Sequence, residues 1–366
     1  MKIKLTDIAA YLESIAPLSF QESYDNSGLQ VGFPGQEIHS ALIAIDVTEE
    51  VLDEAIEKKC NLILSHHPLI FTGLKKLTGH TFVERVVMKA IQNNIAIYAG
   101  HTNFDSIQGG VNAKICEKLN LKNTRILKPA SGMLKKLVTF IPAEHAEKVR
   151  EAVFNAGAGH IGRYDLCSFN SEGLGSFRGG EKTHPFVGEK GVIHFEKEIR
   201  VETIFPAPLQ KKIVAALIKA HPYEEVAYDI YPVENTFYTL GIGMIGETES
   251  PETEKDYLKK IKKTFNAKTI RHTKPKGELV RRVAVCGGTG AFLLEDAMAA
   301  NADVFITADF KYHQFFGAEG KIVIADVGHY ESEQFTKELF YELLRKKFPK
   351  FAVRLSERNT NPVEYL

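Results

Sequence analysis

Short apolar runs alternate along this chain with stretches whose apolar residues recur every three or four positions. The first pattern predicts buried strands and the second amphipathic helices. ALIAIDV (41–47) reads as a strand, TEEVLDEAIEKKC (48–60) as a helix, and NLILSHHP (61–68) as a second strand with its exit. The same script returns as RRVAVCG (281–287), GTGAFLLEDAMAANA (288–302) and DVFITADFKYH (303–313). NIAIYAGHTNFDS and KIVIADVGHYESE extend the parallel: a strand runs into a glycine, then a histidine, then a carboxylate four positions on. These pairs are His101 with Asp105 and His329 with Glu333. Strand–helix–strand alternation predicts right-handed βαβ units. The expected host is therefore an α/β domain of two pseudo-repeated βαβ halves sharing one mainly parallel sheet.

Between the halves the texture changes. KKLVTFIP, HAEKVREAVFNAG, RYDLCSFNSEG, GVIHFEKEIRVETIFP, LQKKIVAALIKAH and VAYDIYPV follow one another as β-α-β-β-α-β. That is the order of a ferredoxin-like α+β sandwich. KPASG and YPVENT punctuate its borders. Residues 133–234 thus read as a domain inserted into a discontinuous host of 1–132 and 235–366. SEGLGSFRGGEKTHPFVGEKG reads as a long surface loop of the insert, and HPYEE (221–225) as a surface corner. TLGIGMIGE satisfies G-x-G-x-x-G at Gly241, Gly243 and Gly246, but no helix opens on the third glycine. It reads as a glycine-containing strand followed by a polar loop, not a dinucleotide site.

A chain of 366 residues has room for two or three domains. Lys plus Arg and Asp plus Glu both number 46, so no basic excess points to nucleic acid. No apolar run approaches the ~20 residues of a membrane helix. The N-terminal MKIKLTDIAAYLESIAPL has helical spacing and lacks the apolar core of a signal peptide. Cys60, Cys116, Cys167 and Cys286 are widely spaced, so neither a thiolate zinc site nor a disulfide framework is predicted. A cytoplasmic protein is the expectation.

Histidine and carboxylate carry the chemistry. His66, His67, Asp105, Asp309, His329 and Glu333 all follow strands, where open parallel sheets gather their ligands. Imidazole with carboxylate is a donor set for Zn first, then Mn, Fe or Co, and a poor one for Mg or Ca. Three histidines and two carboxylates (His66, His67, Asp105, His329, Glu333) exceed one catalytic zinc and suit two bridged divalent ions. His101 and Asp309 can be further ligands or outer partners that hold an imidazole, and we read them as outer partners. His101 or His313 would then handle protons, although His313 can equally face solvent. CGGTG (286–290) offers backbone amides to an anion, or is simply a tight strand-to-helix turn.

YDNSGLQVG, SHHP, GHTNFD, VAVCGGTG and GHYESE together resemble the Nif-three-like proteins, often labelled GTP cyclohydrolase I type 2 homologues. The resemblance covers both host segments. It implies a dinuclear centre held by His66, His67, Asp105, His329 and Glu333, a toroidal homohexamer, and a PII/CutA-like insert. The expected activity is metal-dependent hydrolysis of a nucleotide such as GTP. The alternative is a non-catalytic metal-binding regulatory or scaffold protein whose insert senses a small ligand.

Overall fold

The wholly apolar runs become strands buried at every position in the computed structural model, which describes residues 3–366. Contacts divide the chain into two units: the residues up to Lys128 with Thr239–Leu366, and Pro129–Tyr238 between them. Both dividing points fall inside strands, Lys122–Ala130 and Phe237–Thr253, rather than at the Pro/Gly turns nearby.

In the first unit, Ser40–Ala44, Leu62–Ser65 and Ala96–Ala99 lie side by side in parallel. Helices Glu49–Glu57 and Phe82–Gln92 make the crossovers. Each begins where a threonine hydroxyl, of Thr48 or Thr81, accepts the backbone N–H three residues on at 3.2 Å. That bond satisfies an otherwise orphaned helix donor. The second half repeats the arrangement with Leu279–Thr289, Val304–Ala308 and Val323–Asp326. Its second crossover is a 3-10 segment, Tyr312–Ala318, instead of an α-helix.

One shared sheet was expected, and the structure has two. The first has five strands and the second six. Antiparallel strands flank each parallel core: Gly28–Val31 in the first, Phe237–Thr253 and Arg271–His272 in the second. Eleven twisted strands reach the size at which open sheets split or curl. The halves are tied by exchanging edge strands. Ala352–Leu355 pairs in parallel with Ser40–Ala44, and Lys122–Ala130 closes the outer edge of the second sheet. The polar stretch after Gly246 is also no loop. It continues the strand to Thr253 and leads into helix Glu254–Thr264. Pairing with the strand Leu279–Thr289, resumed after a bulge, holds it extended.

The second unit runs Leu134–Pro142, helix Ala146–Asn155, Phe169–Arg178, Ile193–Pro206, helix Gln210–Ala220, Tyr228–Val233. The sheet is antiparallel throughout, with Leu134–Pro142 and Ile193–Pro206 central. Both helices bury one apolar stripe, including Val149, Val153, Ile213 and Leu217, on one face of it. The expected glycine-rich loop begins later than its composition suggests. Ser171–Arg178 is strand, since glycine weakens a strand without preventing a full ladder to Ile193–Arg200.

Phe340, on the C-terminal helix Thr336–Lys347, is fully buried with its ring edge-on to Phe104 at 5.0 Å. Phe104 lies in the one-turn helix Thr102–Asp105. Phe340→Ala should therefore destabilise the first unit by ~3–5 kcal/mol, the range for emptying an aromatic core site. The check is a lower urea midpoint; an unchanged midpoint would show that this contact does not hold the helix in place.

Candidate metal centre

The parallel strands end at a common rim. His66 and His67 continue from Leu62–Ser65, and their N–H groups still donate to Ile45 O at 3.1 and 2.9 Å. His101 follows Ala96–Ala99 and opens the one-turn helix that ends in Asp105. From the second half, His329 and Glu333 begin and end a helix of a little over one turn. Their four-residue spacing puts them on one face, with His329 Nε2 3.1 Å from Glu333 Oε2.

Glu333, 3% exposed, is the hub. Its Oε1 lies 3.6 Å from His66 Nε2, and its Oε2 lies 2.9 Å from His67 Nε2. His66 Nε2 is also 3.8 Å from Asp105 Oδ1, and the Nε2 atoms of His67 and His329 are 3.4 Å apart. Two groups of donors converge within 4.8 Å: His66, His67 and His101, and His67, His329 and Glu333. His101, expected as an outer partner, therefore stands with the donors. Asp309 does take the outer position, accepting from His329 Nδ1 at 2.6 Å.

Each imidazole is oriented from behind. Asp46 accepts from His67 Nδ1 at 2.7 Å, and Asp25 accepts from His101 Nδ1 at 2.7 Å. His66 Nδ1 meets the carbonyl of Gly100 at 2.9 Å. A carbonyl only accepts, so His66 Nδ1 carries the proton and a neutral His66 turns a lone pair inward at Nε2. That lone pair faces two carboxylate oxygens. His66 Nε2 and Asp105 Oδ1 are buried with no hydrogen-bond partner, whereas Glu333 Oε2 has the Nε2 atoms of His67 and His329 beside it. Facing electron pairs buried together repel, and a cation between them removes the conflict. The outward Nδ1 bonds to carboxylate or carbonyl are those that metal-bound histidines make.

The electrostatics agree. Burial favours loss of the His67 proton, yet Asp46 and Glu333 hold its pKa at about 10. Burial acts likewise on His329, and Asp309 and Glu333 hold it at about 11. This field attracts positive charge in whatever form is present. Burial and then the Glu333 charge push the Asp105 carboxyl up. Glu333 also resists ionisation by burial, but the surrounding histidines hold it well below the usual range. Against the same burial cost, hydrogen bonds from His101 to Asp25 and from His67 to Asp46 keep both carboxyls low.

Asp25 and Asp46 were not singled out in the sequence. Each is one carboxylate near a strand, and only the tertiary fold gives it a histidine. Asp25 lies within YDNSGLQVG, where the family resemblance offered a signal. His313 goes the other way. It is exposed on the 3-10 segment, its ring against Tyr312 and Phe316, and has no hydrogen bond or ion pair to the centre among the described residues.

The two glycine amides at the centre of CGGTG are already engaged. Gly287 N–H donates to Asn112 Oδ1 at 2.9 Å and Gly288 N–H to Ser332 Oγ at 2.8 Å. Gly288 has φ +63°, and a Cβ there would fall 2.2 Å from Glu333 Oε1. The glycine makes room for the hub carboxylate. Glu333→Gln and Gly288→Ala should both lose most bound metal, the first by removing charge and the second by displacing Glu333. Asp309→Asn should weaken binding by about 10–100-fold. Metal per chain after dialysis, with circular dichroism as a folding control, checks all three. Full metal content in Gly288→Ala would contradict the placement of Glu333.

Residues 3–362 match the family described as Duf34/NIF3 (NGG1p interacting factor 3). A Bacillus subtilis protein named GTP cyclohydrolase 1 type 2 homolog is 39% identical over 365 residues, covering 98% of each chain. A Halalkalibacterium halodurans protein of the same name is 41% identical, covering 97% of this chain and 96% of its own. The crystal structure of a Bacillus cereus protein related to NIF3 superposes with a TM-score of 0.85 at 39% identity, covering 100% of both chains. With a match along nearly its whole length, the chain belongs to the DUF34/NIF3 family.

Proposed function

We propose that this protein holds two divalent metal ions, zinc first, and is a metal-dependent hydrolase of a nucleotide-like substrate. One observation carries the reading: the buried and unpartnered His66 Nε2 faces the equally unpartnered Asp105 Oδ1 at 3.8 Å and Glu333 Oε1 at 3.6 Å. His66, His67, Asp105, His329 and Glu333 are the proposed ligands, with His101 added by its place among the donors. Such ions polarise a substrate oxygen and lower the pKa of water.

The chain's own groups prepare the site for this chemistry. Asp25, Asp46 and Asp309 hold three imidazoles with Nε2 inward, so the ligands need no reorganisation. Glu333, beside His66 as well as His67 and His329, would place negative charge where it offsets the mutual repulsion of two cations. A cavity of about 450 Å3 opens beside His67 and His329 and has Arg271, Tyr330 and Tyr365 in its walls. Its size suits a nucleotide-sized ligand. Arg271, although it bonds to Asp326, presents a guanidinium suited to phosphate. The guanine nucleotide class rests on the name shared by the Bacillus subtilis and Halalkalibacterium halodurans relatives.

Further parts of this reading are a toroidal homohexamer, a PII/CutA-like character for the insert at 133–234, and a cytoplasmic location. Among the described residues no helix is long and apolar enough to cross a membrane.

Turnover of a nucleotide panel by metal-loaded and chelated protein tests the hydrolase. We expect turnover that disappears on chelation and returns with zinc or manganese. Turnover unaffected by chelation would contradict the reading, and a metal-loaded protein inert on the whole panel would favour the regulatory alternative. Light scattering after size exclusion should give about six times the 40.9 kDa chain; a monomer at micromolar concentration would remove the ring.

A further inference from the structure

The second unit contains a cavity of about 580 Å3 that the metal chemistry does not use. It lies on the sheet face away from the helices. Val201 and Phe205 of Ile193–Pro206 pack into the helical core, whereas Glu198 and Arg200, in the alternate positions, line the cavity. The floor includes the neighbouring strand Phe169–Arg178, in which Gly173 pairs with Glu198 and Gly175 with Glu196. A Cβ on Gly175 would lie 2.2 Å from Glu198 Oε2. The glycine thus lets a carboxylate lie flat over the strand.

HPYEE, dismissed in the sequence as a surface corner, helps to build this place. His221 is buried, and its Nε2 donates to Phe140 O at 3.0 Å. That contact fixes the turn from which Tyr223 reaches Glu198, its hydroxyl donating to Oε1 at 2.9 Å. The ring of Tyr223 stands 6.1 Å from Phe177 and 6.2 Å from Phe186. Glu224 accepts the His184 N–H at 2.7 Å, tying the loop that carries Phe186 across the opening.

The charges inside do not balance. Glu172, Glu198, Glu224 and Glu225 line the cavity against Arg178 and Arg200. Arg200 is engaged by Glu202 at 2.8 Å. Among the described residues Glu198 accepts from the neutral phenol of Tyr223 and forms no ion pair. Three aromatic rings beside an uncompensated carboxylate are a receptor for positive charge, since ring faces and carboxylate attract the same ligand.

We propose that this cavity binds a small organic cation, an ammonium or guanidinium group on an apolar body, with the charge held between Glu198 and the rings of Tyr223, Phe177 and Phe186. The site is independent of the hydrolase reading.

Three probes of similar shape test it on the full chain by calorimetry: phenethylammonium, 2-phenylethanol and 3-phenylpropionate. The ammonium should bind about tenfold or more tightly than the alcohol, and the carboxylate more weakly than either. Glu198→Gln keeps an acceptor for Tyr223 and should remove the preference for the cation. Phe186→Leu, at a half-exposed ring where folding is not at stake, should reduce the preference several-fold. Equal affinity for all three probes, a preference for the carboxylate, no ammonium binding at millimolar concentration, or an unchanged preference in Glu198→Gln would each overturn the proposal.

Discussion

Three atoms that carry lone pairs, His66 Nε2, Asp105 Oδ1 and Glu333 Oε1, are brought together at a buried point by segments far apart in sequence, the first 3.8 and 3.6 Å from the other two. Among the described residues no hydrogen-bond donor reaches His66 Nε2 or Asp105 Oδ1. Such an arrangement opposes folding unless something positive sits within it. Much of the first unit can be understood as the scaffold that makes this arrangement tolerable. The Nδ1 of His66 is spent on Gly100 O, and those of His67, His101 and His329 on Asp46, Asp25 and Asp309. Gly288 leaves space for Glu333, and Ser332 and Asn112 bond the glycine turn beside it.

Two sheets meet this need better than one. Parallel strands in each end at the rim, so candidate donors come from both: His66, His67, His101 and Asp105 from the first half, His329 and Glu333 from the second. Exchanged edge strands lock the halves together without merging the sheets. Glu54 adds to the lock beyond Ala352–Leu355, accepting Ser356 Oγ at 2.5 Å and Glu357 N–H at 2.9 Å.

The convergence of these histidines and carboxylates was legible because they sit immediately after strongly apolar strands, where local pattern predicts a site. SHHP and GHYESE needed no tertiary knowledge. The outer carboxylates did need it: Asp46 meets His67 only because neighbouring parallel strands are in register, and Asp25 meets His101 only because Gly28–Val31 pairs antiparallel with Ala96–Ala99. Local periodicity also identifies a strand without naming its partner, which is why one sheet was expected and two were found. His313 illustrates the opposite error, a histidine near the right strand whose 3-10 segment turns it to solvent. In the second unit, glycine content suggested a loop where interstrand pairing made a strand, and the proline of HPYEE concealed a buried histidine.

X-ray absorption at the metal edge of the loaded protein tests the central claim most directly, because it reads the ligands and the neighbouring ion together. The account predicts a shell of nitrogen and oxygen only, with a metal–metal vector of about 3.5–4 Å. A sulfur shell from the buried Cys286, or a single ion with no metal neighbour at full loading, would contradict it.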